Sequence, residues 1–173
     1  YETIRVDFAN AEQTKPAYLA INPKGRVPAL MTDRGLLTEN VAILAYIAQS
    51  FPEKKLAPSD PFAFAQMQAF NSYLSSTVHV NHAHKGRGYR WASEESSFAD
   101  MKRKVPETMA ASFDLIEREM FRGPWVMGDD FTVADAYLYT LATWLKGDGV
   151  DVAGVLGATG TASATGSRRL PHR

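Results

Sequence analysis

The pattern of apolar and polar positions over the first 52 residues predicts a small α/β unit. Residues 3–8 alternate between apolar and polar side chains, which is typical of a half-buried strand. A short helix is predicted over residues 14–21. Two short apolar runs flank a turn and predict a β-hairpin over residues 27–38. Apolar residues then recur at helical spacing over residues 40–51 until a proline follows.

After residue 52 the pattern changes to one of helices only. Residues 53–61 contain prolines and little apolar periodicity, so they are interpreted as a linker. Three helices are predicted beyond it, over residues 62–84, 97–121 and 132–146. The second carries an apolar stripe at every third or fourth position. Pro106 lies inside that helix, where a proline kinks or splits helical structure.

The sequence therefore predicts an α/β domain at 1–52, the linker 53–61 and an all-helical domain at 62–153. The fold class is α/β plus all-α. Residues 154–173 contain mainly small side chains with no periodicity. Such a composition rarely packs as a core helix, so this tail is expected to be disordered or poorly packed. A frame error or an abnormal terminus is the hypothesis that would explain this unusual composition.

Composition excludes several classes of protein. The 173 residues contain 19 basic and 19 acidic side chains, whereas nucleic-acid binders usually carry a basic excess. Cysteine is absent, which excludes disulfides, thiolate metal sites and a cysteine nucleophile within this sequence. No apolar run has the length of a membrane span, and no signal peptide is visible. We therefore expect a cytoplasmic protein that binds neither nucleic acid nor membrane.

The dipeptide Val27-Pro28 is the first candidate binding element. A proline in a short strand belongs at a sheet edge or a bulge, because it cannot donate to the ladder. An X–Pro bond can also be cis. In that case the backbone N–H and C=O of Val27 would face an open edge and pair with an extended peptide. The alternative interpretation is an edge proline with no ligand.

The second candidate is Thr38-Glu39-Asn40, at the start of the helix predicted near residue 40. The first N–H groups of a helix attract anions. Asn40 can cap this helix, and the Glu39 carboxylate can accept a hydrogen bond from an ammonium group. Together they would hold the zwitterionic end of an amino acid. The alternative is an arrangement that only caps the helix.

Three segments, NPKGRVPAL, LLTEN and VAILAYIAQSFP, resemble the second half of the N-terminal domain of the glutathione transferases, of the bacterial, beta-like type. A second signature, GPWVMGDDFTVADAYL, is similar to that family's C-terminal domain. The resemblance covers roughly residues 1–153. It implies a partial thioredoxin-like domain, without its first strand and helix, followed by the all-helical domain of the family.

The resemblance also implies site residues. Val27 and Pro28 take the positions that pair with the cysteinyl backbone of glutathione. Glu39 and Asn40 take those that bind its γ-glutamyl group, although most members have serine where Asn40 stands. The family's residue that activates the thiol is expected upstream of Tyr1, so this fragment alone is expected to be incomplete as a catalyst.

One further contact of bacterial members has no clear counterpart. These members often carry a lysine between the first strand of this sequence and its short helix. The matching place is near Asn10, and Lys15 is a weak substitute.

The Thr132 to Asp135 spacing predicts a capping box, in which each side chain satisfies a backbone group at the start of a helix. The family uses this motif to start its core helix. It is a folding element, and it receives no catalytic role.

Histidines supply the remaining candidates. His79 aligns with a cleft-facing histidine of the beta-like class and is the candidate for orienting the glutathione sulfur; the alternative is a surface or interface histidine. His79 and His82 are three residues apart, yet no further ligand has suitable spacing, so no metal is expected. Tyr73, His79, His82 and Trp91 are the predicted pocket for a hydrophobic second substrate.

The resemblance implies an enzyme that conjugates the glutathione thiolate to a hydrophobic electrophile, with glutathione as co-substrate, a role in detoxification and a homodimeric assembly. Two alternatives remain open. One is a non-catalytic module for binding or assembly. The other is a glutathione-dependent reductase, peroxidase or isomerase.

Overall fold

The computed structural model describes residues 1–151, which lie in two compact units. The first unit is Tyr1–Gln68, and the second begins at Ala69. Residues 154–173, which the sequence predicts to be disordered or poorly packed, lie outside the described residues.

The prediction of a strand over residues 3–8 is wrong. This segment is extended without strand pairing, and the sheet of the described residues has two strands, both later in the chain. Ile4 is 83% exposed and Phe8 is 48% exposed. Alternation shows which face a strand would bury, but a strand also needs a neighbour for its backbone N–H and C=O groups.

A turn closes this extended segment. The Asp7 carboxylate accepts hydrogen bonds from the Asn10 side chain at 2.8 Å and from the Ala9 backbone at 2.9 Å. Hydrogen bonds from the side chain of Asn10, its backbone and the backbone of Ala9 lower the pKa of the Asp7 carboxyl below its ordinary value. Asn10 therefore holds the turn, at the place where bacterial relatives were expected to offer a lysine.

The short helix predicted over residues 14–21 is present in a shorter form. A 3₁₀ turn, Glu12–Thr14, precedes helix α1, Pro16–Leu19. Pro16 occupies the first helical position, where its missing N–H removes no hydrogen bond.

The predicted hairpin is confirmed. Strand β1, Ala29–Thr32, pairs antiparallel with strand β2, Gly35–Thr38, and the register places Ala29 opposite Thr38. Gly35 has a φ of 127°, a conformation that side-chain-bearing residues rarely adopt. This glycine therefore allows the chain to reverse within two residues.

Helix α2, Asn40–Ser50, follows the hairpin directly and buries Ile43 and Ala48. It ends where Phe51 leaves helical geometry before Pro52, as the sequence predicted. A 3₁₀ turn, Pro52–Lys54, begins the segment that was interpreted as a linker.

The predicted helices beyond residue 61 are present. The helix Glu95–Leu115 continues through Pro106 without a break, so of the two effects considered for this proline, a kink or a split, the split does not occur. The helices and π-helical turns, in chain order, are α3 (Pro61–Tyr73), a π turn (Leu74–Val78), α4 (His79–Ala83), α5 (Glu95–Leu115), a second π turn (Ile116–Met120) and α6 (Val133–Ala142).

The apolar stripe of α5 supplies much of the core of the second unit. Its members Val105, Met109 and Phe113 are buried, and Ile116 in the following turn is fully buried. A stripe at this spacing keeps one helix face toward the core while the charged side chains of α5 remain outside.

The capping box at the start of α6 is confirmed. The Thr132 side chain accepts from the Ala134 backbone at 3.3 Å, and the Asp135 carboxylate accepts from the Thr132 backbone at 2.7 Å. Asp135 also accepts from the backbone N–H of Val126 at 2.7 Å. This one buried carboxylate therefore joins α6 to the loop that precedes it.

Over residues 1–151, no helix combines the length and the apolar character that a membrane crossing requires.

Candidate functional site

The peptide bond between Val27 and Pro28 is cis, as considered from the sequence. Val27 is 41% exposed and directly precedes the segment that enters β1. Within the described residues of the first unit, neither its N–H nor its C=O makes a hydrogen bond. Val27 therefore presents a free donor and a free acceptor to an extended ligand.

A buried asparagine anchors the loop before Val27. Asn22 is 1% exposed and donates to the Arg26 carbonyl at 2.7 Å, and the Tyr18 hydroxyl donates to the same carbonyl at 2.8 Å. Gly25, at a φ of 61°, completes the turn. Two donors on the carbonyl that precedes Val27 hold its backbone in a single orientation.

Glu39 has an unusual backbone conformation, with φ 71° and ψ 117°. Few residues other than glycine adopt positive φ, and such strain concentrates at ligand sites. The Glu39 side chain is 58% exposed at the N-terminal end of α2.

The prediction that Asn40 caps α2 is wrong. Asn40 is the first helical residue, the cap position belongs to Glu39, and no side chain caps this end. A capping residue needs extended backbone geometry just before the helix, which Asn40 does not have. Its amide is half-buried and makes no hydrogen bond within the described part of the first unit.

Lys24 is a site neighbour that sequence reasoning did not identify. Its ammonium lies 2.5 Å from Glu39 Oε1 and donates to the Thr38 hydroxyl at 2.8 Å. Lys24 belongs to the NPKG segment, but nothing in the spacing indicated contact with a residue fifteen positions later.

An apolar cavity of about 470 Å³ lies along the Val27–Pro28 edge. Its walls come from the extended N-terminal segment, α1 and β1, and they do not include Glu39 or Asn40. The principal apolar lining residues are Ile4, Val6, Phe8, Tyr18, Ile21, Val27, Pro28 and Met31.

In the second unit, His79 and His82 lie together with Trp144. The centroid of the His82 ring lies 4.2 Å from that of the Trp144 ring, with the two planes tilted by 30°, and the His79 ring lies 5.1 Å from the Trp144 ring in an edge-on arrangement. The two imidazoles are 6.5 Å apart. The structure thus unites two of the four predicted pocket residues around a tryptophan that sequence reasoning missed.

Asp148 and Lys85 complete this histidine cluster, which we define as His79, His82, Lys85, Trp144 and Asp148. The Asp148 side chain is 0% exposed, and its Oδ2 lies 2.7 Å from His82 Nδ1. Lys85 Nζ lies 3.3 Å from Oδ1 and also donates to the Gly147 carbonyl. Asp148 was missed as well, because it follows His82 by 66 positions.

The other two predicted pocket residues, Tyr73 and Trp91, do not belong to the histidine cluster as defined. Trp91 packs edge-on against His84, with ring centroids 4.5 Å apart. Tyr73, near the end of α3, is half-buried. Over residues 1–151, no three histidine, aspartate or glutamate side chains come close enough to hold a metal ion.

The family model for the glutathione S-transferase N-terminal domain matches residues 1–49, and the model for the C-terminal domain matches residues 97–165. The crystal structure of a glutathione transferase homologue from Sulfitobacter, solved with bound glutathione, is 57% identical with a TM-score of 0.85. The match covers 88% of this chain and 74% of that one. The chain belongs to the glutathione transferase family.

Curated relatives agree with this membership. Glutathione S-transferase GstA of Escherichia coli O157:H7 is 33% identical over 129 residues, covering 73% of this chain and 61% of GstA. Maleylacetoacetate isomerase of Pseudomonas aeruginosa is 29% identical over 143 residues, covering 80% of this chain and 66% of that protein. The chain therefore spans less than two thirds of the length of these relatives.

The predicted fold is confirmed by this membership, and the solved relatives are bacterial transferases that include a beta-class enzyme of Sphingomonas chungbukensis. The N-terminal unit has the thioredoxin-like character of the glutathione transferases with a short two-stranded sheet, and the second unit is helical.

Proposed function

We propose that this chain holds glutathione in its N-terminal unit and serves an enzyme that conjugates the glutathione thiolate to a hydrophobic electrophile. The observation that carries this proposal is the open backbone of Val27 beside Pro28. It lies in the same compact unit as Glu39, which has an exposed carboxylate and a strained backbone.

Two of the three residues of glutathione, the cysteinyl and the γ-glutamyl residue, have matching groups in this proposal. The cysteinyl backbone pairs with the N–H and C=O of Val27, in the manner of an added strand. The Glu39 carboxylate accepts a hydrogen bond from the ammonium of the γ-glutamyl group. The Asn40 amide and the free N–H groups at the start of α2 bind the carboxylate beside that ammonium.

We assign the orientation of the glutathione sulfur to His79. We assign the activation of the thiol to no residue of this chain. Hydrogen bonding to a thiolate favours it over the thiol, and the thiolate is the nucleophile. Tyr73, His79, His82 and Trp91 remain the proposed surroundings of the electrophile. The proposal includes a homodimeric, cytoplasmic enzyme with domains at 1–52 and 62–153.

Glutathione-dependent isomerisation is a second candidate. It is supported by the relationship to maleylacetoacetate isomerase, at 29% identity. The two functions share the same glutathione site and differ in the second substrate. An assay that follows both aryl-halide conjugation and cis–trans isomerisation of a maleyl compound separates them.

Titration calorimetry of the complete gene product tests the site. Glutathione is expected to bind at least about 10-fold more tightly than cysteinylglycine, because the dipeptide lacks the γ-glutamyl group and with it a charge-assisted pair worth roughly 1.5–3 kcal/mol. Equal affinity for the two ligands contradicts the assignment of Glu39 and Asn40. Absence of glutathione binding supports a non-catalytic module instead.

Replacing Lys24 with methionine is expected to raise glutathione affinity about two- to fivefold. The Lys24 ammonium now lies against the carboxylate that the ligand ammonium needs. Both side chains are about half exposed, so their pair is worth at most roughly 1 kcal/mol. Lys54→Met, on an exposed lysine of the same unit, is the calorimetric control. A loss of affinity in Lys24→Met would show that Lys24 binds the ligand directly.

A further inference from the structure

The backbone carbonyl of Arg26 accepts two side-chain hydrogen bonds. The Asn22 amide donates to it at 2.7 Å, and the Tyr18 hydroxyl donates to it at 2.8 Å. A carbonyl oxygen has two lone pairs, and here both of them are engaged. Because both donor side chains are buried, the Arg26 oxygen is held toward the interior of the first unit.

The Asn22 side chain is itself fixed at both ends. Its oxygen accepts from the Lys24 backbone N–H at 3.2 Å, while its nitrogen donates to Arg26. The Asn22 backbone N–H also donates to the Tyr18 carbonyl, at 2.8 Å. A buried amide is costly unless its polar atoms have partners, and this one has a partner for each end. The nitrogen end therefore stays directed at the Arg26 carbonyl.

The peptide group that carries the Arg26 carbonyl also carries the N–H of Val27. The cis bond of this loop is the next one, Val27–Pro28, and the Arg26–Val27 bond is trans. A trans peptide group is planar, so its C=O and its N–H point in opposite directions. Fixing the carbonyl toward Tyr18 and Asn22 therefore fixes the N–H away from them, on the exposed side of the loop.

We propose that Tyr18 and Asn22 are positioning residues of the proposed glutathione site. Through the Arg26 carbonyl they orient the Val27 N–H, which donates to the cysteinyl carbonyl of glutathione. Hydrogen bonds to the carbonyl of an amide also polarise that amide, which makes its N–H a stronger donor. The inference rests on the proposed pairing of glutathione with Val27 and names the side chains on which that pairing depends.

Closure of the turn at residues 22–26 does not by itself require the tyrosine. The backbone N–H of Gly25 donates to the Asn22 carbonyl at 2.9 Å, and Gly25 has a φ of 61°, so the turn is closed by its own residues. The Tyr18 hydroxyl comes from helix α1, eight positions before Arg26. What this second donor adds is a single direction for the carbonyl, and hence for the N–H on the other side of the peptide group.

Calorimetry on the complete gene product with two ligands tests the role of Tyr18. The ligands are glutathione and γ-glutamylcysteamine, which keeps the γ-glutamyl group and the thiol but lacks the cysteinyl carbonyl. Tyr18→Phe is expected to weaken glutathione binding about fivefold, as for the loss of one hydrogen bond, and to change γ-glutamylcysteamine binding less than about twofold. Tyr46→Phe, which removes a hydroxyl from α2 of the same unit, is the matched control and is expected to change neither affinity.

Asn22→Asp is the second variant. It places an oxygen against the Arg26 carbonyl, while its other oxygen can still accept from Lys24. Because the two facing oxygens repel each other, glutathione binding is expected to weaken at least about 10-fold. The ¹⁵N resonance of the Val27 amide responds to hydrogen bonds at the preceding carbonyl, so it is expected to move in Tyr18→Phe and in Asn22→Asp before any ligand is added.

A loosened fold would weaken the binding of both ligands in parallel. Equal losses for the two ligands in Tyr18→Phe, or an unchanged glutathione affinity, therefore overturn the positioning role while the proposed function stands. Tyr18→Phe decides the inference by itself if Asn22→Asp does not fold. If the unaltered protein does not bind glutathione, the proposed function falls, and this inference falls with it.

Discussion

Replacing Asp135 with alanine is expected to lower the free energy of unfolding by about 3 kcal/mol. The buried carboxylate accepts from two backbone N–H groups, those of Val126 and Thr132, both at 2.7 Å. Alanine leaves both donors buried without an acceptor, and each such loss costs roughly 1–3 kcal/mol. The helix cap itself contributes about 1 kcal/mol, so 3 kcal/mol is a conservative sum.

Thermal unfolding followed by circular dichroism measures this effect. For a chain of this length 3 kcal/mol corresponds to a fall in Tm of roughly 6–12 °C. Asp130→Ala is the matched control, because Asp130 is exposed five residues earlier. Equal Tm values for the two variants would show that the Asp135 hydrogen bonds contribute nothing beyond an ordinary surface aspartate.

Replacing Glu39 with glutamine is expected to weaken glutathione binding roughly 10- to 100-fold. Glutamine keeps the size of the side chain and the backbone conformation at φ 71°, and it removes only the negative charge. Hydrogen bonds to charged groups contribute about 1.5–3 kcal/mol, which corresponds to this range of affinity.

Calorimetry on Glu39→Gln and on the exposed Glu53→Gln provides the comparison, since both variants lose one negative charge from the same unit. A general electrostatic effect would weaken both. The proposed contact predicts a loss in Glu39→Gln alone. An unchanged dissociation constant in Glu39→Gln would remove Glu39 from the glutathione site.

Structural elements that depend only on residues close together in the sequence could be predicted from the sequence. The turn at Gly35, the apolar stripe of α5 and the spacing of Thr132 and Asp135 involve positions within a few residues of one another, and the structure confirms each of them. Hydrophobic periodicity and turn residues act locally, so they can be read before any tertiary contact is known.

Two predictions failed because they required more than a local pattern. Residues 3–8 have strand alternation but lack a pairing partner among residues 1–151. Asn40 has the chemistry of a capping residue but lies one position too late, inside the helix. The backbone angles of Glu39 decide that position, and they are set by how the hairpin leads into α2.

The amino-acid sequence by itself determined the family and the two kinds of unit, since short recognisable segments and apolar periodicity carry both. The same segments led to the proposal of Val27, Pro28, Glu39 and Asn40 as the glutathione site. Only the tertiary structure decided which side chains meet. Lys24 approaches Glu39 across 15 positions, and Asp148 approaches His82 across 66. The physical reason is that such contacts form when separate elements pack together, and no periodicity or spacing along the chain encodes them.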